Sequence, residues 1–506
     1  MDITTVNGSI RLYAPILVDQ HAQFTYQYQA NIFSLPYSLR TRICECLYED
    51  GTWESLQTIL SFALTCSWFT DPALDVLWRT LPSIVPLLRT LPEDLCQFLP
   101  EIRASDDSLI LAAKLVRSLR LPFHLSQTHA DLVQEFLRDP IPSDFWRFKE
   151  YASRVHRLQM PTNASTSDIF APRYFSSRPI ISTHIWYVLN RAGPKPLLPN
   201  LTALCYTDQV AYNVWVTPIP DYLNAFLGPS LTSIDLHLHP MRVQHALGIV
   251  ARSSPGIQQL SMHIEPPSHA DLPSHAFLKW DKRMTALCTL TGDTLRGFDH
   301  LTAVKLDGLR ITIDGLERLG QLPSLRTLAF DAYCADLLWD APHEYRGLYF
   351  FLNLETLTIR TNMLEWCMIF LEMVASSHLQ VLSITSIGRP APSIAMAALC
   401  AVVGTGPWND ILHTLQILSG RLDDTRYAVE TYRPSDVFAP LLTCSALRRI
   451  SMYGRCRVPR GDATLEAWTA AWPNLSHLDL RDPPDDHPKG WQWSERDIEQ
   501  SLLAVM

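Results

Sequence analysis

No Cys-x-x-Cys pair occurs in this chain, although it carries 11 cysteines in 506 residues. An odd, scattered set closes no disulfide framework and lacks the spacing of a structural zinc site, so free thiols in a reducing compartment, cytoplasmic or nuclear, are expected. Cys44 and Cys46, the nearest pair, read as lining a helix. Charge is scarce as well: charged residues make up 18% and the net charge is -9, which leaves no broad basic footprint for nucleic acid. The first twenty residues lack a basic stretch followed by a long apolar core, and no run of about eighteen apolar residues occurs, so neither export nor a membrane span is expected. The sequons at Asn7, Asn163, Asn200 and Asn474 then read as chance. No Gly-x-Ser-x-Gly, Walker loop or His-Glu-x-x-His occurs, and the Gly404-Thr405-Gly406 stretch lacks the rest of a dinucleotide fingerprint. A non-catalytic protein without cofactor or metal is the expectation.

What the chain does have is apolar surface. Hydrophobic residues make up 47%, enough for extensive cores, and the length exceeds that of one ordinary core, so two or more units or a repeat architecture follow. Residues 1 to 32 show no helical or strand period and read as a flexible leader. Residues 33 to 81 read as three helices. In the first, Leu39, Ile43 and Leu47 recur every fourth residue, with Pro36 in the first turn. In the second, Leu56, Ile59, Leu60, Ala63 and Leu64 make one stripe. The third is expected to start at Asp71 as N-cap with Pro72 at N1, and to carry Phe69, Ala73, Leu74, Leu77 and Trp78. A unit this small cannot bury all of these side chains among themselves, so part of the surface is expected to meet a partner.

Beyond a helical connector at 82 to 114 the texture becomes a repeated phrase, apolar-x-x-apolar-x-apolar, the mark of a half-buried strand. It occurs twelve times, starting at residues 116, 155, 201, 231, 257, 301, 325, 354, 379, 412, 447 and 475. Helical stretches lie between several copies, at 128–139, 143–155 (with Ser143 as cap), 242–254, 362–377 and 392–403. Strand, loop, helix, loop, repeated over 115 to 481, predicts an irregular α/β solenoid with a parallel sheet, resembling leucine-rich repeats but without their asparagine-ladder position. A doubly wound α/β domain is the alternative. Residues 482 to 506 read as a C-terminal loop and helix, with Trp491 and Trp493 packing that helix onto the last coil.

The three helices, "SLPYSLRTRICECL" and "ILSFALTCSWFTDPALDVLWRTL", resemble the F-box, a three-helix motif that opens on Leu-Pro, here Leu35 and Pro36, and closes on an apolar-Trp step, here Leu77 and Trp78. With "LPSIVPLLRTLPEDL" and "DFWRFKEYASRVHRLQM" the chain looks like the F-box proteins with degenerate leucine-rich repeats of mushroom-forming fungi. The resemblance is specific over residues 33 to 160 and diffuse to 481. It departs from the family after Leu-Pro, where an acidic residue is common and this chain has Tyr37 and Ser38. That loses a favourable helix-terminus charge worth about 0.3–1 kcal/mol.

The resemblance implies the substrate-recognition subunit of an SCF-type (cullin-RING) E3 ubiquitin ligase. In that family the F-box binds a Skp adaptor and the repeats hold a protein substrate. Leu35 and Pro36 would enter the adaptor's groove, while Leu39, Ile43, Leu60, Leu64, Leu77 and Trp78 divide between the motif's own core and the adaptor. The alternative is a leucine-rich-repeat scaffold whose N-terminal helices only cap the solenoid.

Side chains alternate along a strand, so the third, fifth and seventh positions of each phrase face away from the core and form a concave polar ribbon. From it Asp235, His237, Gln259, His263, Lys305 and Asp307 are candidates for substrate contact, followed by Asp331, Thr358, Arg360, Arg449, Tyr453, Asp479 and Arg481. Their mixed sign suits a protein or peptide rather than a polyanion. His237 and His263 both hold the seventh position, which stacks them on neighbouring coils. Zinc needs about four placed ligands, so they read as ordinary histidines.

Overall fold

The computed structural model describes residues 2–6, 9–13, 35–48, 52–98, 134–159, 183–207, 222–238, 242–264, 289–332, 350–361, 364–386, 393–419, 437–453 and 462–481. The protein is mixed α/β and divides into two compact units, Met1–Leu231 and Thr232–Met506.

The first unit begins with an antiparallel hairpin, Asp2–Val6 paired with Ser9–Tyr13, where the sequence showed no period. Three helices follow: α1 (Tyr37–Leu47), α2 (Trp53–Thr65) and α3 (Ser67–Arg79). They close around Cys44, Ile59, Ala63, Phe69, Ala73 and Val76. The expected start of α3 at Asp71 is corrected to Ser67, which places Pro72 inside the helix. Burial of Phe69, against Phe62 at 4.4 Å between ring centroids, draws the preceding turn into the helix. Pro72 has no N–H to offer the Trp68 carbonyl, and the Arg40 guanidinium donates to that oxygen instead, at 2.7 Å.

From α3 the chain runs directly into a short strand, Thr80–Leu81, parallel to Arg157–Gln159, which pairs in turn with Ala203–Thr207. The helix expected over 128–139 is corrected at its described end: Gln134–Phe136 is a strand, antiparallel to Cys96–Phe98. Pro140 and Pro142 just beyond disfavour helical backbone before them, and pairing supplies the backbone partners a helix would have given. Ser143 is not the cap of the following helix, Trp146–Ala152, which is preceded by a 3-10 turn, Pro142–Phe145. Asp144 fills the capping role, accepting the Ile141 N–H at 2.8 Å. Arg138 forks onto the same carboxylate at 2.7 and 3.0 Å and, with the Ile141 N–H, holds it below the usual carboxylate range.

The second unit is built on nine parallel strands, each beside the next coil's strand, from Ser233–His237 to His477–Arg481. Helices such as Val243–Ser253, Ile313–Gly320, Leu364–Met373 and Ser393–Thr405 connect them. Across both units eleven of the twelve phrases form strands, and every one of those strands starts at the third residue of its phrase. The phrase at Val116 lies outside the described residues, as does 482–506.

Positions one, four and six carry the core in the inner coils, whereas on the last strand Leu478 is 37% exposed. Leu301, Val304 and Leu306, or Leu379, Leu382 and Ile384, are at most 1% exposed. Where an asparagine ladder is missing, the second residue of the phrase takes its structural part through the main chain. Thr232, Gln258, Thr302, Arg326, Glu355, Gln380, His413 and Arg448 each accept two N–H bonds from the next coil at 2.7–3.1 Å. Side chains add to this lock: the Thr302 and Ser476 hydroxyls donate to the same Gln258 and Arg448 carbonyls, and Asn200 and Asn353, each one residue before its phrase, donate to the Ser153 and Pro323 carbonyls. Among the described residues no helix is long and apolar enough to cross a membrane.

Candidate binding surfaces

Two surfaces stand out, one in each unit. On the three-helix unit, burial separates the residues that the sequence could not sort. Ile43 and Leu77 pack against the small core. Trp78 stacks on Tyr151 of the helix Trp146–Ala152, with ring centroids 4.5 Å apart. Leu35 is half-buried and Pro36 exposed. Leu39, Leu60 and Leu64 remain 51, 42 and 88% exposed. The sequence reading did not single out two aromatic side chains that join them, Tyr37 and Trp68, at 45 and 51%. The Arg40 guanidinium sits 5.6 Å from the Tyr37 ring centroid and 5.4 Å from that of Trp68, so a cation bridges the two rings. Trp68 lies beyond the extended residue Cys66 that separates α2 from α3, so no helical spacing from Leu64 announces it.

The same unit is braced from behind. Arg154 pairs with Asp71 at 2.9 Å and with Asp75, and the Tyr37 hydroxyl donates to Asp75. Partial burial, then the Asp75 hydrogen bond and charge, push the Tyr37 hydroxyl up to about 12. Arg42, and after it Arg79, donate to Glu45 and hold its carboxyl below the usual range.

On the second unit, register brings seventh-position residues into a row. His237 lies beside His263, and His263 beside Asp307. The two imidazole rings stack with centroids 4.4 Å apart. Asp235 reaches both, at 3.5 Å from His237 Nε2 and 3.3 Å from His263 Nε2, while Asp307 sits 2.8 Å from His263 Nδ1. Burial works against a charged imidazole here, but Asp235 and Asp307 overcome it and raise His263 to about 9. Burial likewise opposes ionisation of Asp235 and Asp307, yet their cationic neighbours hold both below the usual carboxylate range.

Asp331 is the reverse case. Its side chain is 1% exposed, and burial pushes its carboxyl up to about 6 despite Arg360 at 3.2 Å and the Gly308 N–H at 2.6 Å. Gly308 reaches that carboxylate with φ of 73°, a backbone conformation that suits glycine.

Ser261 Oγ is 2.9 Å from His263 Nε2, so Ser261, His263 and Asp307 have the spacing of a nucleophile, a base and its orienting acid. The chemistry differs. Asp235 on the same Nε2 holds the ring as imidazolium, which cannot take the Ser261 proton. The cluster is an ion network rather than a set of activated groups.

Of the remaining candidates, Gln259 is exposed and Thr358 half-buried, on the same face of their strands. Arg449 is half-buried, and Asp479 is 6% exposed on the last strand. Tyr453 and Arg481 are placed by register with each other. These four lie at the far edge of the sheet, separated from the histidine row by the strands between.

The architecture is that of a mixed α/β protein with a long parallel sheet. No family model matches the sequence, and no curated protein matches it. Among solved structures the chain is similar to the leucine-rich repeat-containing protein LegL7 from Legionella pneumophila. Identity is 14% and the TM-score 0.30, over 55% of this chain and 82% of that one.

Proposed function

We propose that the chain is the substrate-recognition subunit of an SCF-type cullin-RING ubiquitin ligase, with residues 33 to 81 acting as an F-box that binds a Skp adaptor and the strand face of the repeats binding a protein substrate. The observation that carries this reading is the exposure, within one three-helix unit, of Leu39, Leu60 and Leu64 together with Tyr37 and Trp68. Terminal units of solenoids need a polar outer face to remain soluble. A cap has no use for a leucine that is 88% exposed, whereas an interface core is built from aromatic and aliphatic anchors. Burying one such leucine contributes about 1.5–3 kcal/mol. The chain itself supplies no catalytic group in this reading; its partners do the chemistry.

Another set of contacts favours the scaffold alternative. Thr80–Leu81 continues α3 into the sheet, Trp78 stacks on Tyr151, and Arg154 holds Asp71 and Asp75, which is how a cap would be fastened. The two readings separate on the exposed face. Co-purification with a Skp adaptor, lost in Leu64→Asp while the fold persists, supports the ligase reading; a wild-type chain that captures no adaptor supports the scaffold.

A further inference from the structure

Arginine holds 35 of the 42 basic positions in this chain and lysine holds 7. The preference is sharper by region: residues 1–113 carry six arginines and no lysine, and residues 306–488 carry fifteen arginines and no lysine. Some of these side chains have to be guanidiniums. Arg40 spans two rings and donates to a carbonyl, Arg138 forks onto Asp144, and Arg154 holds two aspartates. Others do not. Arg79 donates to Glu45 through Nη1 at 2.5 Å, Arg318 reaches Asp299 through Nη2, and Arg326 reaches Glu355 through Nη1. Their side chains are 41, 32 and 58% exposed. Where no fork or stack is made, the compact charge of an ammonium serves as well, so these contacts do not account for the preference.

What separates the two side chains at such positions is reactivity. A lysine amine has a pKa of about 10.4, and its neutral form attacks activated acyl groups. A guanidinium stays protonated in proteins and offers no free amine. We infer that arginine replaces lysine over this surface so that ubiquitin, carried as a thioester by the ligase's transferring enzyme, discharges onto the bound substrate and spares the receptor. This rests on the ligase reading and adds how the receptor is protected within it.

In the transfer, a lysine Nζ forms an isopeptide bond with the C-terminal carbonyl of ubiquitin. The thioester C–S bond breaks, the carrier leaves as its thiol, and the amine's proton passes to solvent. A receptor held in the ligase presents its own lysines at the effective concentration of a tethered group, so each competes with the substrate for as long as the complex lasts. Three lysines lie among the described residues. Lys149 and Lys195 are exposed on the first unit, while Lys305, 31% exposed and 3.8 Å from Asp307, stands on the strand face read as the substrate surface.

The test is ubiquitin transfer by a reconstituted Skp–cullin–RING core, with activating and conjugating enzymes, ubiquitin and ATP, to the 506-residue chain without substrate. Wild type is compared with Arg79→Lys and with Arg318→Lys/Arg326→Lys. These keep charge and single contacts, so melting temperatures should not move, and the two variants alter different units. Each variant is expected to take up ubiquitin about fivefold faster than wild type, at the new lysines when mapped by mass spectrometry. Adaptor capture is scored in the same reactions. A captured wild type modified as fast as the variants, or captured variants whose new lysines stay unmodified, overturns this inference and leaves the ligase reading standing. A wild type that captures no adaptor overturns the ligase reading and this inference with it.

Discussion

His237 and His263 lie ring over ring, centroids 4.4 Å apart and planes inclined by 16°, with the Asp235 carboxylate within reach of both. Two carboxylates, Asp235 and Asp307, flank His263, and the arrangement links stability to pH. His263 is raised from 6.5 to about 9. Below pH 6.5 the ring is charged in folded and unfolded chains alike and the stabilisation is whole. Above 6.5 the unfolded chain releases the proton first, so stability falls until the folded ring also loses it near 9. The shift is equivalent to about 3 kcal/mol at most. Melting temperature measured from pH 6 to 10 should fall across that interval, and the fall should disappear in Asp235→Asn/Asp307→Asn, where only burial, which disfavours the charged ring, remains. A wild-type curve that stays flat there would contradict the ion network.

Trp78 and Leu64 should fail in different ways. Trp78 is a packing residue on Tyr151, so Trp78→Ala should cost about 2 kcal/mol or more of stability, read from denaturant unfolding. Leu64 is 88% exposed, so Leu64→Asp should shift stability by no more than about 0.5 kcal/mol.

Arg40 replaces the hydrogen bond that Pro72 cannot make. Arg40→Ala therefore leaves the Trp68 carbonyl without that donor and removes the cation between two rings, at a cost of about 1–2 kcal/mol. If Pro72→Ala is introduced as well, the helix recovers its own donor and the cost of Arg40→Ala should shrink. Equal costs in the two backgrounds would show that the guanidinium does not serve the helix.

Gly308 links the backbone to the buried carboxylate. An added Cβ would meet the Ile264 carbonyl oxygen at 2.6 Å with φ at 73°. Gly308→Ala should cost about 1–3 kcal/mol. It should also disturb the N–H that Asp331 accepts, so the destabilisation should lessen when Asp331→Asn is combined with it.

The strand positions were legible because a period-two pattern with an extra leading apolar residue depends only on which side chains face the core, and eleven phrases each start their strand two residues in. The stacking of His237 on His263 was legible for the same reason, since equal positions in consecutive phrases become neighbours. Other features were hidden by tertiary effects. Phe69 pulled α3 back past a proline that normally marks a helix start, and Arg40 made that tolerable from another helix. Strand pairing with Cys96–Phe98 overrode helical periodicity at Gln134–Phe136. The inward or outward facing of Leu77, Trp78, Leu60 and Leu64 depends on how helices pack, which spacing alone does not encode. The elevated Asp331 carboxyl depends on burial, and an aspartate on a polar strand face carries no local mark of depth.

The most direct measurement is capture of a Skp adaptor by the 506-residue chain, wild type against Leu64→Asp and Leu39→Asp. The ligase reading expects a stable complex with wild type, at least tenfold weaker binding for each variant, and unchanged melting temperatures. No complex with wild type, or a complex indifferent to both substitutions, would contradict it.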